Sequence, residues 1–224
     1  MEFDLAETGV RELNRFLHDT ASSGSRVEVG NPSGRHNIAV GAMHGCTVRI
    51  NGHVGYYCAG MNRNADIVVR GNAGPGLAEN MMSGTVRVQG NASQYCGATA
   101  HGGLLVVEGD ASARCGISLK GLDIVVGGSI GHMSAFMAQT GRLVVCGDAA
   151  ESLGDSIYEA RIYVRGKAAG LGTDCIEKPM EGEHFEELGE LLDRAGMSHP
   201  MREFRRYGSA RRLYNFDVDN ASAY

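Results

Sequence analysis

Glycine recurs every 19 residues through the middle of this chain, at Gly52, Gly71, Gly90, Gly109, Gly128, Gly147 and Gly166, without a slip. A fixed period of this length marks a stacked repeat, in which no unit can bury its own apolar face and each leans on the next. Aligned on the period, the blocks begin TVRING, DIVVRG, TVRVQG, LLVVEG, DIVVGG, RLVVCG and RIYVRG, and RVEVG from Arg26 to Gly30 is a degenerate first copy. The second and fourth positions are apolar in every full block, from Val48 and Ile50 to Ile162 and Val164. Such β-branched alternation predicts a short strand with one buried face. The third position is Arg in two blocks (Arg49, Arg87) but Val106, Val125 and Val144 in others, so that face is expected to be covered in places, and these valines are candidate partner contacts.

The residue after each glycine is His53, Asn72, Asn91, Asp110, Ser129, Asp148 or Lys167. Asn and Asp suit a corner through Asx hydrogen bonds, and the repeated glycines are predicted to supply left-handed φ there. The thirteenth position is small throughout (Ala59, Ala78, Gly97, Gly116, Ala135, Gly154, Thr173), which predicts a tight inward corner. Nineteen residues leave no room for a crossover helix, and the leucine-rich pattern is missing, so the strands must pair in parallel with the next copy. The predicted fold is all-β, a right-handed parallel β-helix of about eight turns over residues 26–175. At about 4.8 Å per strand it makes a rod of roughly 38 Å.

The flanks are expected to shield the open ends of such a rod. Residues 1–25 form an N-terminal cap segment, with Val10, Leu13, Phe16 and Leu17 on one helical stripe behind a Thr8 cap. Residues 176–224 form a helical, charged C-terminal tail in which Phe185, Leu188, Leu191 and Leu192 repeat the device and Gly196 ends it. That tail is acidic from Glu177 to Asp193 and then basic, with Arg202, Arg205, Arg206, Arg211 and Arg212 interleaved with Phe204, Tyr207 and Tyr214. Arg205 and Arg206 are therefore further candidate partner contacts, although charge runs are more often solvated faces.

Composition narrows the function classes. The chain has 33 glycines among 224 residues, roughly twice the ordinary share, yet only 4 prolines and 43% hydrophobic residues, which excludes collagen and low-complexity disorder. A net charge of −5 makes nucleic acid and anionic membranes poor partners. With no long apolar run and an acidic start, the chain reads as cytoplasmic, with no membrane segment. Six cysteines without a CxxC read as free, buried thiols. Cys58, Cys96 and Cys115 share the twelfth position with Leu77 and Leu153, so they read as small apolar filler rather than a metal or disulfide set.

No catalytic group emerges from spacing. Gly71, Gly74 and Gly76 in GNAGPG lack the Lys-Ser or Lys-Thr of a phosphate loop. His44, His101 and His132 have no metal-ligand spacing. Asp110 and Asp148 stand two turns apart, about 10 Å, and corner aspartates are more often turn residues than catalytic carboxylates. The expectation is therefore no catalytic residue, no metal and no cofactor on this chain.

The repeated strand-Gly-Asn-Ala-Gly corners, as in VVRGNAGPGLAENMMSGTVRVQGNAS, resemble the GXGXG domain, the C-terminal β-helix of the glutamate synthase large subunit. The resemblance covers roughly residues 26–175. In that family the domain is architectural, beside a glutamine amidotransferase domain and an FMN and iron–sulfur synthase domain. The amidotransferase's N-terminal cysteine nucleophile has no counterpart at Met1. A chain of this size is similar to the separate β-helix subunit of three-subunit glutamate synthase-like enzymes, with N-methyl-L-glutamate synthase (methylamine–glutamate N-methyltransferase) as the best match. The resemblance implies a structural, non-catalytic subunit that holds a glutamine amidotransferase-like subunit and an FMN-dependent glutamate synthase-like subunit together. FMN and an iron–sulfur cluster are then implied on a partner. The alternative is the β-helix subunit of a formylmethanofuran dehydrogenase or formyltransferase/hydrolase complex, which shares the same architecture.

Overall fold

The computed structural model describes residues 1–211; Arg212, Tyr214 and the rest of the C-terminal segment lie outside the described residues. The elements in chain order are β1 (Glu2–Asp4), α1 (Val10–Asp19), β2 (Arg26–Gly30), β3 (Thr47–Ile50), β4 (Asp66–Val69), β5 (Thr85–Val88), β6 (Leu104–Val107), β7 (Lys120–Val126), β8 (Thr140–Val145), β9 (Arg161–Val164), β10 (Cys175–Lys178), α2 (Gly182–Ala195), a 3₁₀ turn (Met201–Glu203) and β11 (Arg205–Ser209). One sheet runs β1-β2-β3-β4-β5-β6-β7-β8-β9-β11-β10. Strands β1 to β9 pair in parallel, and the 19-residue period is the register itself: Val48 faces Ile67, Ile67 faces Val86, and Leu143 faces Ile162. A second parallel ladder links Val54, Ala73, Ala92, Ala111, Ile130, Ala149 and Ala168 at the next corner. The expected parallel β-helix is thus a β-solenoid of about seven turns rather than eight, with two short helices.

The apolar second and fourth positions stack into a continuous core, and every such side chain from Val48 to Val164 is at most 1% exposed. The expected inward corner is there too, with Cys58, Leu77, Cys96, Cys115 and Leu153 sealed beside it. Left-handed backbone concentrates at this corner and alternates along it: Tyr57, Ala59 and Met61 have φ of 60°, 56° and 54°, and Met133, Ala135 and Met137 repeat the pattern.

The repeated glycines differ from expectation in their reason. Of the seven, Gly52 has positive φ; the others do not. They are glycines because successive coils approach too closely for a side chain. A Cβ on Gly90, Gly109, Gly128 or Gly166 would lie about 2 Å from the Oδ1 of the Asn or Asp one coil back. On Gly71 and Gly147 it would strike the backbone of Gly52 and Gly128. Those Asx side chains act between coils rather than within a turn. The Asn91 amide donates to Asn72 Oδ1 at 2.8 Å, Asp110 to Asn91 Oδ1 at 2.8 Å and Ser129 to Asp110 Oδ1 at 2.7 Å.

At the N-terminal end, β1 pairs with β2 while Leu13 and Leu17 of α1 are fully buried against the first coil. Gly9, not Thr8, occupies the N-cap; the Thr8 hydroxyl donates to the Asp4 carbonyl at 2.8 Å. The C-terminal end is closed differently from the prediction. The edge of β9 is met by β11, which runs antiparallel to it, with β10 outside. The tail is therefore part strand, and α2 lies on the outer face of the sheet instead of across the end.

Candidate functional site

α2 starts from a capping box in which Glu181 and His184 satisfy each other's backbone amides, and it ends at Gly196 in the left-handed region, φ 67°. Its stripe of Leu188, Leu191, Leu192 and Ala195 packs onto Val106, Val125, Val144 and Tyr163. These three valines are fully buried. The proposed partner surface at Val106, Val125 and Val144 is thus occupied by the chain's own helix, which removes it as a contact for another subunit. A linear reading pairs an apolar strand face with an unknown cover because nothing in the repeat itself says that residues 182–195 fold back onto it.

Ion pairs pin this helix. Asp123, 6% exposed, accepts two bonds from Arg142 at 2.6 and 2.7 Å and one from Arg194 at 2.9 Å. Glu187 accepts from Arg161 at 2.9 Å and from the Tyr163 hydroxyl at 2.5 Å. Arg87 donates to the Ala195 carbonyl at 2.9 Å, neutralising a free helix C-terminal acceptor. The Asp123 hydrogen bonds hold the Arg142 guanidinium above its ordinary pKa, and burial, reinforced by Glu187, pushes the Tyr163 phenol up, so both keep their protons.

Beside this latch, β8, β9 and the β11–β10 pair enclose a groove of about 670 Å³. Five cationic side chains line it: Arg142, Arg161, Lys178, Arg206 and Arg211. Strand periodicity separates the two arginines singled out by sequence. Arg206 lines the groove, whereas Arg205 points away and makes a loose, exposed pair with Glu177 at 3.6 Å. Arg206 and Lys178 are direct cross-strand neighbours. The groove's walls come from segments spread over residues 121–211, and no local motif announces it. The one available sequence signal was the clustering of arginines in the tail.

The other sequence candidates resolve into structure. The six thiols are free and buried. Burial pushes Cys58 up to about 12 and Cys146 and Cys175 to about 11, and a hydrogen bond with Cys96, then burial, raises Cys115. Thiols so far from ionising are poor nucleophiles and poor metal ligands. Asp110 and Asp148 each spend Oδ1 on the next coil, accepting from the Ser129 and Lys167 amides. In GNAGPG, a Cβ on Gly74 would lie 2.6 Å from the Gly55 carbonyl carbon, so that glycine serves coil packing. Glu181, Glu183 and His184 bring ligand-type atoms within 4.8 Å, but the His184 Nδ1 already accepts from the Glu181 amide in the helix cap.

Comparison with known proteins adds one decisive relation. No protein-family model matches the chain. Over 99% of its length it is 62% identical to Protein GlxC of Rhizobium meliloti (strain 1021), covering 98% of that protein. The chain belongs to the GlxC family. A match of this extent takes in the coils, α2 and the β10–β11 pair together. Among the described residues of this GlxC-family chain, no helix is long and apolar enough to cross a membrane.

Proposed function

We propose that this GlxC-family chain is a structural, non-catalytic subunit of a glutamate synthase-like complex. The observation that carries the reading is the way the solenoid spends its polar groups. The Asx side chains, corner aspartates and thiols that could have served chemistry are committed to ladders and core, while the backbone offers a stiff, stacked frame. Such a frame suits the task of holding two active sites at fixed separation, so that a small amine passes between them without loss to solvent. In its finer form the complex is N-methyl-L-glutamate synthase, with a glutamine amidotransferase-like partner and an FMN-dependent glutamate synthase-like partner that carries FMN and an iron–sulfur cluster. The GXGXG-like corners support this form. With the Val106–Val125–Val144 face closed, partner contacts fall to the uncovered part of the sheet over β2 to β4, where Arg49 and Glu28 are solvent-facing, and to Arg205.

The test is gentle purification of the tagged chain from its native host, with mass spectrometry of co-purifying proteins and a visible spectrum. Amidotransferase-like and glutamate synthase-like partners with a flavin spectrum are expected. Co-purification with formyltransferase subunits would move the assignment to the formylmethanofuran dehydrogenase-like complex, and a colourless, lone chain would overturn the scaffold reading.

A further inference from the structure

The groove at the C-terminal end sets five cations against the carboxylates of Asp123, Glu159 and Glu187, and two of those cations are left without an ion-pair partner among the described residues. Arg142 and Arg161 are met by Asp123 and Glu187, and Arg211 by Asp174. Lys178 and Arg206 are not matched in this way. Among the described residues neither makes an ion pair; the Arg206 Nε donates to the Pro179 carbonyl at 2.9 Å, and Lys178 has no side-chain hydrogen bond. Yet these two stand directly opposite on antiparallel strands, with Arg206 in turn opposite Tyr163 on β9, two residues along the same strand from Arg161. Like charges directly opposite one another destabilise an antiparallel pair. Here that pair is the one that closes the edge of the solenoid, where repulsion is least welcome.

A bound counter-charge would resolve the conflict. Guanidinium and ammonium groups converging on one space are the standard means of holding phosphate or carboxylate, the first by its planar fork and the second as a point charge. The groove's volume of about 670 Å³ is far beyond a single inorganic ion and lies within the range of small-metabolite sites. Its walls are polar, with the Thr140 and Tyr158 side chains beside the cations; of its three carboxylates, Asp123 and Glu187 are engaged by arginines and Glu159 makes no ion pair with Lys178 or Arg206. We propose that this groove binds a small oxyanionic metabolite, its phosphate or carboxylate group held between Lys178 and Arg206 with Arg161 on the adjoining wall. The inference is independent of the scaffold role, since it needs only this chain.

Isothermal titration calorimetry of the full chain at low ionic strength tests it, with pyrophosphate and succinate as separate probes and sodium chloride as the ionic-strength control. Saturable, one-site heat is expected from at least one probe. Pyrophosphate alone assigns the phosphate class, and succinate alone the dicarboxylate class. The Lys178→Gln/Arg206→Gln variant is expected to bind at least tenfold more weakly, while Arg63→Gln, at an exposed corner of the first full coil, binds as the parent does. Because the double substitution removes repulsion, its ligand-free melting temperature is expected to equal or exceed the parent's, which separates lost binding from lost folding. Single Lys178→Gln supplies the same comparison if the double variant is poorly produced. No saturable heat from either probe, or unchanged affinity in the variants, overturns the proposal.

Discussion

At the scale of single residues, the solenoid is governed by how near one coil comes to the next. The Gly109 position illustrates this: the Gly109 amide donates to the Gly90 carbonyl at 3.1 Å, and a Cβ would lie 2.1 Å from Asn91 Oδ1, the acceptor for the Asp110 amide. Adding one methyl group must break that bond or part the coils. Overpacking of this kind costs about 1–3 kcal/mol. Gly182, the first residue of α2, has nothing within 4 Å of its added Cβ and no left-handed φ. Gly109→Ala is therefore expected to lower unfolding free energy by about 1–3 kcal/mol, while Gly182→Ala is neutral or stabilising by up to about 1 kcal/mol. Urea denaturation of the two variants side by side checks the contrast, and equal effects would refute the close-approach explanation.

At the scale of elements, α2 converts a strand face that would otherwise be wet and apolar into a second core. Leu191 is fully buried between the helix and the valine column. Truncating a buried leucine costs about 2–5 kcal/mol through lost transfer energy and the cavity left behind. Because the coils retain their own core under Val48 to Val164, the loss should appear first as local opening of the helix. Leu191→Ala is thus expected to make residues 182–195 cleavable by limited proteolysis and to raise binding of a hydrophobic dye, before the β-sheet circular dichroism signal changes. If sheet and helix are lost together, the helix is integral to one cooperative unit.

At the scale of the whole molecule, buried thiols distributed over both cores tie stability to alkaline pH. An unfolded cysteine titrates near 9.0, whereas burial lifts Cys58 to about 12 and Cys146 and Cys175 to about 11. Above pH 9 the unfolded chain releases protons that the folded chain keeps, so the unfolded state gains relative stability. The thiol contribution is fully present below about pH 9 and is lost as pH rises through about 11–12. The raised phenols of Tyr163 and Tyr207 act in the same sense above their ordinary value of 10.0. The melting temperature is expected to be level in pH from neutrality to about 9 and to fall beyond it, less steeply in Cys175→Ala. A level curve through pH 11 would show that these groups titrate alike in both states.

Much of this architecture could be read from the linear order of residues, because stacking repeats makes sequence spacing and spatial contact the same quantity. Val48, Ile67 and Val86 share a column in the chain and a register in the sheet, so period, strand, core face and the boundaries of α2 near Gly196 were all legible. What the periodicity did not contain was the path of the non-repeating tail. The fold-back of α2 onto Val106, Val125 and Val144, the antiparallel docking of β11 on β9, and the meeting of Arg161, Lys178 and Arg206 around one groove are long-range events with no repeat to set their register. Even the glycine column kept its position but changed its cause, since φ is a local property and the distance to the coil beneath is not. Local pattern and period determined the solenoid; the sites where another molecule could be recognised were decided by tertiary contacts alone, because only they bring distant charges face to face.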